Sequence, residues 1–395
     1  MIKIRSRLIL IYALALLIPF LYFINLDWNA TSFVNSHESM NIYFGADVAR
    51  VVDNLEDNAA TSHYRDKVHP YFSLIAVSVA KIGVYFGYTN YAFPIYRLIF
   101  GTLGVFLFWL FIYKNTNTFQ AYASLALLFS SMSFRVWSAI PETFLFSFFT
   151  LMCALNLMRL KLKPEFILLA TLAGTVTNLV LGLLHLILTH INKQLIFKIT
   201  LSFFFMAIAA SIIQQSIYPT SIFFFDLLSH KEELNYIAKD FGVDEFRLFD
   251  FFISGFIVPL NNEISLPITT ANLWQHFYTV DLMASKKMTL LTISTITILV
   301  AAYLTSLFAF FKQFDKNTIS LSILYFIVFE LVLHLFYGDA PFLYSLNFTP
   351  LIIVFMSLNQ PEKMKSFAPY CFIFLALLIQ RFNFFEPKLF AKYFF

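Results

Sequence analysis

The stretch Leu8–Asn25, LILIYALALLIPFLYFIN, decides the fold class. It holds no charged residue, and about 20 apolar residues in helical form cross the hydrocarbon of a bilayer. Lys3, Arg5 and Arg7 stand before it, and no small-residue cleavage site follows, so it reads as a retained span and not as a cleaved signal. Runs of this kind recur through all 395 residues. The chain is 59% hydrophobic and only 13% charged, whereas soluble domains carry about 25% charged residues. Mean hydropathy is +0.73, and 52 Phe stand against 10 Gly. A soluble enzyme, a disordered chain and, despite the net charge of +4, a nucleic-acid binder are excluded. The strands of an outer-membrane barrel would alternate polar and apolar residues, which these runs do not. Cys153 and Cys371 both lie within apolar runs, a pattern of neither a disulfide framework nor a metal knuckle.

Basic residues gather on the cytoplasmic side of membrane helices. Placing Lys3/Arg5/Arg7, Lys114, Arg159/Lys161/Lys163, Lys193/Lys198, Lys312/Lys316 and Lys363/Lys365 inside gives a consistent path. Spans are expected at 8–25, 91–113, 119–134, 144–158, 195–218, 288–311, 318–337, 343–358 and 367–382, with two short helices over 165–191 broken near Thr175–Asn178. The expectation is a single all-α transmembrane domain over 1–395, with about eleven spans. Residues 26–90 form the first outer loop and 219–285 the second. Tyr71–Tyr88 is apolar but carries Lys81, and as a span it would reverse every later connector. It is therefore read as an amphipathic helix on the outer surface, the alternative being an ordinary span with the charge rule broken downstream.

Four constellations on the outer side could carry chemistry. In Gly45-Ala46-Asp47-Val48-Ala49-Arg50, an Asp opening a helix puts Arg50 one turn on; it is either a cap with a surface ion pair or a base kept ionised by the helix dipole. His63, Arg65, Lys67 and His69 bring four groups that are or can be cationic into seven residues. This suits a phosphate or pyrophosphate, or simple anchoring among lipid headgroups. No third His or Cys stands nearby, so a metal ranks low there. Arg135 and Glu142 flank the turn between two spans, where Glu142 follows Pro141 as a cap or as a functional acid. Asp339 and Tyr344 mark the Gly338-Asp339-Ala340-Pro341 turn, which turn chemistry alone accounts for. Arg97, six residues into its span, needs an anion or carbonyl partner. His185, His190 and His334 read as hydrogen-bonded within the bundle, and the Phe-rich stretches as lipid contact or packing. Asn29-Ala30-Thr31 matches a glycosylation sequon, a pattern that also arises often by chance.

Taken in order, the first 160 residues resemble the membrane-bound GT-C glycosyltransferases, particularly the protein O-mannosyltransferase and aminoarabinose-transferase branch. The resemblance rests on Asp47 and Arg50, on His69-Pro70-Tyr71-Phe72 opening the surface helix, on Tyr96-Arg97-Leu98, and on Glu142 in the next outer turn. It implies a polyprenyl-phosphate-linked sugar donor and a glycan, lipid or protein acceptor, meeting at the periplasmic face of a bacterial inner membrane. It implies Asp47 and Glu142 as catalytic residues, Asp47 being the general base of an inverting transfer. Arg50, His63, Arg65, Lys67, His69, Arg97, Arg135, Asp339 and Tyr344 would contact substrate. No cofactor and no obligatory metal is expected, a divalent cation being possible. The first loop has Asp47-Val48 where these families often have Asp-Glu, and it has no Asp-x-Asp. A glycan polymerase, a flippase or transporter of lipid-linked sugars, and a non-catalytic assembly subunit remain as alternatives. A transporter should show paired interrupted helices in two halves, and no internal symmetry is visible.

Overall fold

The computed structural model describes residues 2–26, 48–86, 91–190, 192–226, 228, 229, 231, 251–257, 290–313, 317–337 and 344–382. Among these, every regular element is helical. In chain order they begin with α1 (Ile2–Asn25), α2 (Val48–Glu56), a 3₁₀ helix (Thr61–Lys67), a π-helical turn (Phe72–Val77) and α3 (Ser78–Tyr85). Next come α4 (Ala92–Tyr96), a second π-helical turn (Arg97–Gly101), α5 (Thr102–Asn115), α6 (Thr118–Ser130), α7 (Met132–Ala139) and α8 (Phe144–Arg159). Then follow α9 (Pro164–Gly174), α10 (Leu179–Thr189), α11 (Lys193–Ile217), α12 (Leu290–Lys312), α13 (Thr318–Phe336), α14 (Ser345–Leu358) and α15 (Ala368–Phe382).

Five helical stretches in the described residues are long and apolar enough to cross a bilayer, or six if the bent pair α7–α8 counts as one. This is a multi-pass membrane protein. The remaining apolar helices are shorter, 10–17 residues, so composition alone does not make each of them a span. α8 and α14 are buried on nearly every side, as their all-round apolar sequences require. α8 lies against α5, α9 and α14, and α14 also packs on α13. The long helices α1, α11 and α12 instead show much of their apolar surface outward, including Ile9, Phe197 and Phe308. Asn117, Asn192 and Asn317 each accept a backbone amide at the start of α6, α11 and α13, satisfying donors that a helix N-terminus leaves open.

Three local features depart from, or refine, what hydropathy alone predicts. The expected span 119–134 breaks at Ser131, whose hydroxyl caps Phe134. Met132 N and Ser133 N bond the carbonyls of Phe256 and Gly255 at 3.2 and 2.9 Å, so a segment far along the chain satisfies the new helix start. α7 then turns by 120° into α8. The break expected near Thr175–Asn178 falls at Thr175, which is extended. Residues 72–85 form a short apolar helix whose Ala76, Val77 and Ala80 are buried, while Ile82 and Tyr85 are exposed.

Candidate functional site at the start of α8

The segment from α2 to the first π-helical turn is stitched down onto the bundle. Ser62 Oγ donates to Asn54 Oδ1 at 2.7 Å, tying the 3₁₀ helix to α2. Thr220 Oγ1 donates to the Ala60 carbonyl (2.6 Å), Tyr71 Oη to the Ala207 carbonyl (2.9 Å), and Val176 N to the Val68 carbonyl (3.0 Å). Tyr71 adopts φ 65°, a left-handed conformation costly for a residue with a Cβ. The turn Val68–Tyr71 thereby presents His69 to the end of α9.

His69 Nδ1 lies 3.1 Å from the Gly174 carbonyl. A carbonyl only accepts, so Nδ1 carries the hydrogen and Nε2 is left with a lone pair. Desolvation, then the charges of Arg65 and Arg50, push His69 down to about 3, so the ring is neutral at physiological pH. The sequence reading counted it among the possible cations; its surroundings make it an acceptor. Gly174 lets the end of α9 that carries this carbonyl pack closely on α8, since a Cβ there would stand 2.5 Å from Thr150 Oγ1 and 2.8 Å from Ser147 Cα.

Thr143 joins this histidine to the acid. Its Oγ1 lies beside the imidazole, 3.3 Å from His69 Nε2 and 3.4 Å from Nδ1, and 3.4 Å from Glu142 Oε2, and its backbone N–H donates to Glu142 Oε2 at 2.8 Å. One hydroxyl hydrogen thus faces two acceptors, and a ligand O–H could serve whichever it leaves. Glu142 is nearly fully buried at the start of α8, where the helix dipole favours its negative charge. Tyr96 Oη holds the same turn, donating to the Glu142 carbonyl (2.9 Å) and accepting from Phe146 N (3.0 Å).

Arg50, Arg65, His69 and Glu142 are therefore brought into one neighbourhood. Arg97 and Arg135 form a second patch, both acting electrostatically on the Tyr22 hydroxyl. Arg97 is buried, with Nη2 3.3 Å from the Leu26 carbonyl and its guanidinium over the Phe93 ring. Tyr344 contacts the Phe144 ring at 6.0 Å and stacks on His334 at 4.5 Å, so it borders the same helix start. Two expected contact residues are turned inward. His63 is fully buried with both ring nitrogens engaged, and Lys67 Nζ donates to the Ser229 carbonyl at 2.7 Å. Asp47 and Asp339 lie outside the described residues.

Residue type alone does not mark Thr143 or Gly174 as part of the site, and Tyr96 enters the sequence analysis only as the neighbour of Arg97. A signal was available for Thr143: with Ser147 and Thr150 it forms a hydroxyl stripe at i, i+4 and i+7 of one apolar helix. Ser147 continues that stripe inward, donating to Asn347 Oδ1 and accepting from Asn178 Nδ2, both at 2.7 Å. Glu330 and His334, four apart on α13, were also readable as a pair; they are buried and 3.0 Å apart. Among the described residues, no group of three or more His, Cys, Asp or Glu side chains converges as metal ligands would. No protein-family model matches the chain, and no curated protein or solved structure is similar to it.

Proposed function

We propose that this membrane protein is a GT-C-type glycosyltransferase, moving a sugar from a polyprenyl-phosphate donor to an acceptor at the outer, periplasmic face of a bacterial inner membrane. The observation that carries the reading is the meeting of Arg50, Arg65 and neutral His69 with the Glu142–Thr143 turn. It combines cations for a phosphate leaving group with acceptors for a nucleophile's hydroxyl, all on one end of the bundle. In the proposed reaction, the Asp47 carboxylate takes the acceptor's O–H proton as the oxygen attacks the anomeric carbon. The carbon–oxygen bond to phosphate breaks with inversion, and polyprenyl phosphate departs with its negative charge. Arg50 and Arg65 stabilise that charge, which needs cations more than a proton. Arg97 and Arg135 are a further reserve of positive charge. Glu142 and His69 Nε2 orient the acceptor hydroxyl through Thr143. In this reading the shorter apolar helices complete a bundle of about eleven spans.

Lipid-linked sugar transport is the second reading, and the buried Glu330–His334 pair favours it, because ionisable pairs within membrane helices mark ion and proton paths. One experiment separates the two. The purified protein in nanodiscs is given a polyprenyl-phosphate sugar and an extract of surface glycans as acceptor, and lipid phosphate release is followed. Release that depends on acceptor and is lost in Asp47→Ala supports transfer. Sugar-lipid movement across vesicles without any covalent change refutes it.

A further inference from the structure

Beneath the His69 turn, three buried side chains are joined by contacts whose protons can be counted. His63 Nε2 lies 2.8 Å from the Asp57 carbonyl oxygen, so Nε2 carries a hydrogen. His63 Nδ1 is 2.7 Å from Ser73 Oγ, and Ser73 Oγ is 2.8 Å from Asp66 Oδ1. The serine has one hydrogen for these two contacts. In one arrangement an imidazolium donates to Ser73, which donates to the Asp66 carboxylate. In the other, a protonated Asp66 donates to Ser73, which donates to neutral His63. Both contain the same number of protons and the same zero net charge.

We propose that Asp66, Ser73 and His63 share a single proton as a clip that holds the Val68–Tyr71 turn, and so act as positioning residues for His69. Their effect on catalysis rests on the transferase reading above; the clip itself does not. The clip closes over residues 66–73, and Ser73 N adds a contact to Asp66 Oδ1 at 3.4 Å. Within it sits Tyr71 with its left-handed backbone, a strained conformation that persists only when its surroundings fix it. His63, Asp66 and Ser73 are all buried, which disfavours the charged arrangement. Accordingly, burial raises Asp66 to about 7 and lowers His63. The titratable groups facing the clip are Asp57, Lys81 from α3, and Tyr218 beyond α11, whose ring lies 4.7 Å from His63. Ser221, which receives Gln214 Nε2 at 2.9 Å, and Gln214 close the remaining side without charge, and the Ser221 hydroxyl pulls against the rise of Asp66. Removing the shared proton leaves the Ser73 hydroxyl with one hydrogen for two acceptors, and only Ser221 to serve the one it leaves. Adding a second points two donors at one serine oxygen, whose own hydrogen then has nowhere to go.

The test uses the full chain in nanodiscs. Infrared spectroscopy at mildly acidic pH is expected to show a protonated-carboxyl stretch that Asp66→Asn removes; an unchanged spectrum overturns the shared proton. Asparagine can still donate to Ser73 as the acid does, whereas alanine cannot. Hydrogen exchange at the Val68–Ser73 amides should therefore stay near wild type in Asp66→Asn and rise about tenfold in Asp66→Ala. Equal exchange in both variants overturns the clip. If lipid phosphate release is detected, Asp66→Asn should retain it and carry it to higher pH, because no proton is lost near pH 7. If no release is found in any protein, the transferase reading fails while the infrared and exchange results still decide the clip.

Discussion

Replacing Gly174 with alanine tests whether the end of α9 sets the position of His69. The new Cβ would stand 2.5 Å from Thr150 Oγ1, 2.8 Å from Ser147 Cα and 2.9 Å from Ser147 Oγ. A threonine hydroxyl can rotate away, but the α-carbon of a buried central helix cannot. Restoring ordinary contact at 3.4 Å from that atom requires a shift of about 0.6 Å, the difference from 2.8 Å. Overpacking of this kind costs about 1–3 kcal/mol, and alanine's better helix propensity returns up to about 1 kcal/mol. The expected net loss is about 1–2 kcal/mol, read as a lower midpoint of unfolding in mixed micelles. The functional loss should be larger. A displacement of about 0.6 Å along the 3.1 Å bond from His69 to the Gly174 carbonyl stretches it beyond hydrogen-bonding range. The imidazole then loses the partner that fixes its tautomer, and misplacement on this scale costs up to about 100-fold in rate. Lipid phosphate release is the assay. Wild-type turnover together with a wild-type unfolding midpoint would refute the reasoning at both levels.

Two further outcomes are expected. Glu330→Leu removes the 3.0 Å partner of buried His334 and should cost about 1–3 kcal/mol, whereas pairing it with His334→Leu should recover most of that loss; equal midpoints for the single and double variants would show that the pair is not coupled. With Cys153 and Cys371 replaced, Asn58→Cys, exposed beyond α2, should react with an impermeant maleimide on intact cells, and Lys163→Cys, exposed between α8 and α9, only after the membrane is opened. The reverse pattern would invert the orientation.

Hydropathy was a good guide to the long apolar helices, and a poor one to the short helices packed among them. Leu8–Asn25, 92–115 and 193–217 stand where their apolar runs put them, because a helix that crosses a bilayer must be apolar along its length. The interruption at Thr175 was readable from a polar Thr-Val-Thr-Asn run between apolar stretches. The break at Ser131 was not, since its cause is the backbone of residues 255 and 256, far away in the chain. Residue type likewise found the neighbourhood of the candidate site but not the direction of its side chains. Arg50, Arg65 and His69 reach one place, while His63 and Lys67, of the same chemical kind and from the same short segment, turn into the protein. Their direction is set by Ser73, Asp57 and Ser229, and nothing in a local run of charges encodes those partners.

α8 has 16 residues and α14 has 14, which at 1.5 Å per residue makes them about 24 and 21 Å long. The hydrocarbon of a bilayer is about 30 Å thick. Each helix is therefore shorter than the hydrocarbon an upright helix would have to cross, so by length alone neither reaches both headgroup layers without the segments that flank it. For α8 that flanking segment is the turn that carries Glu142 and Thr143.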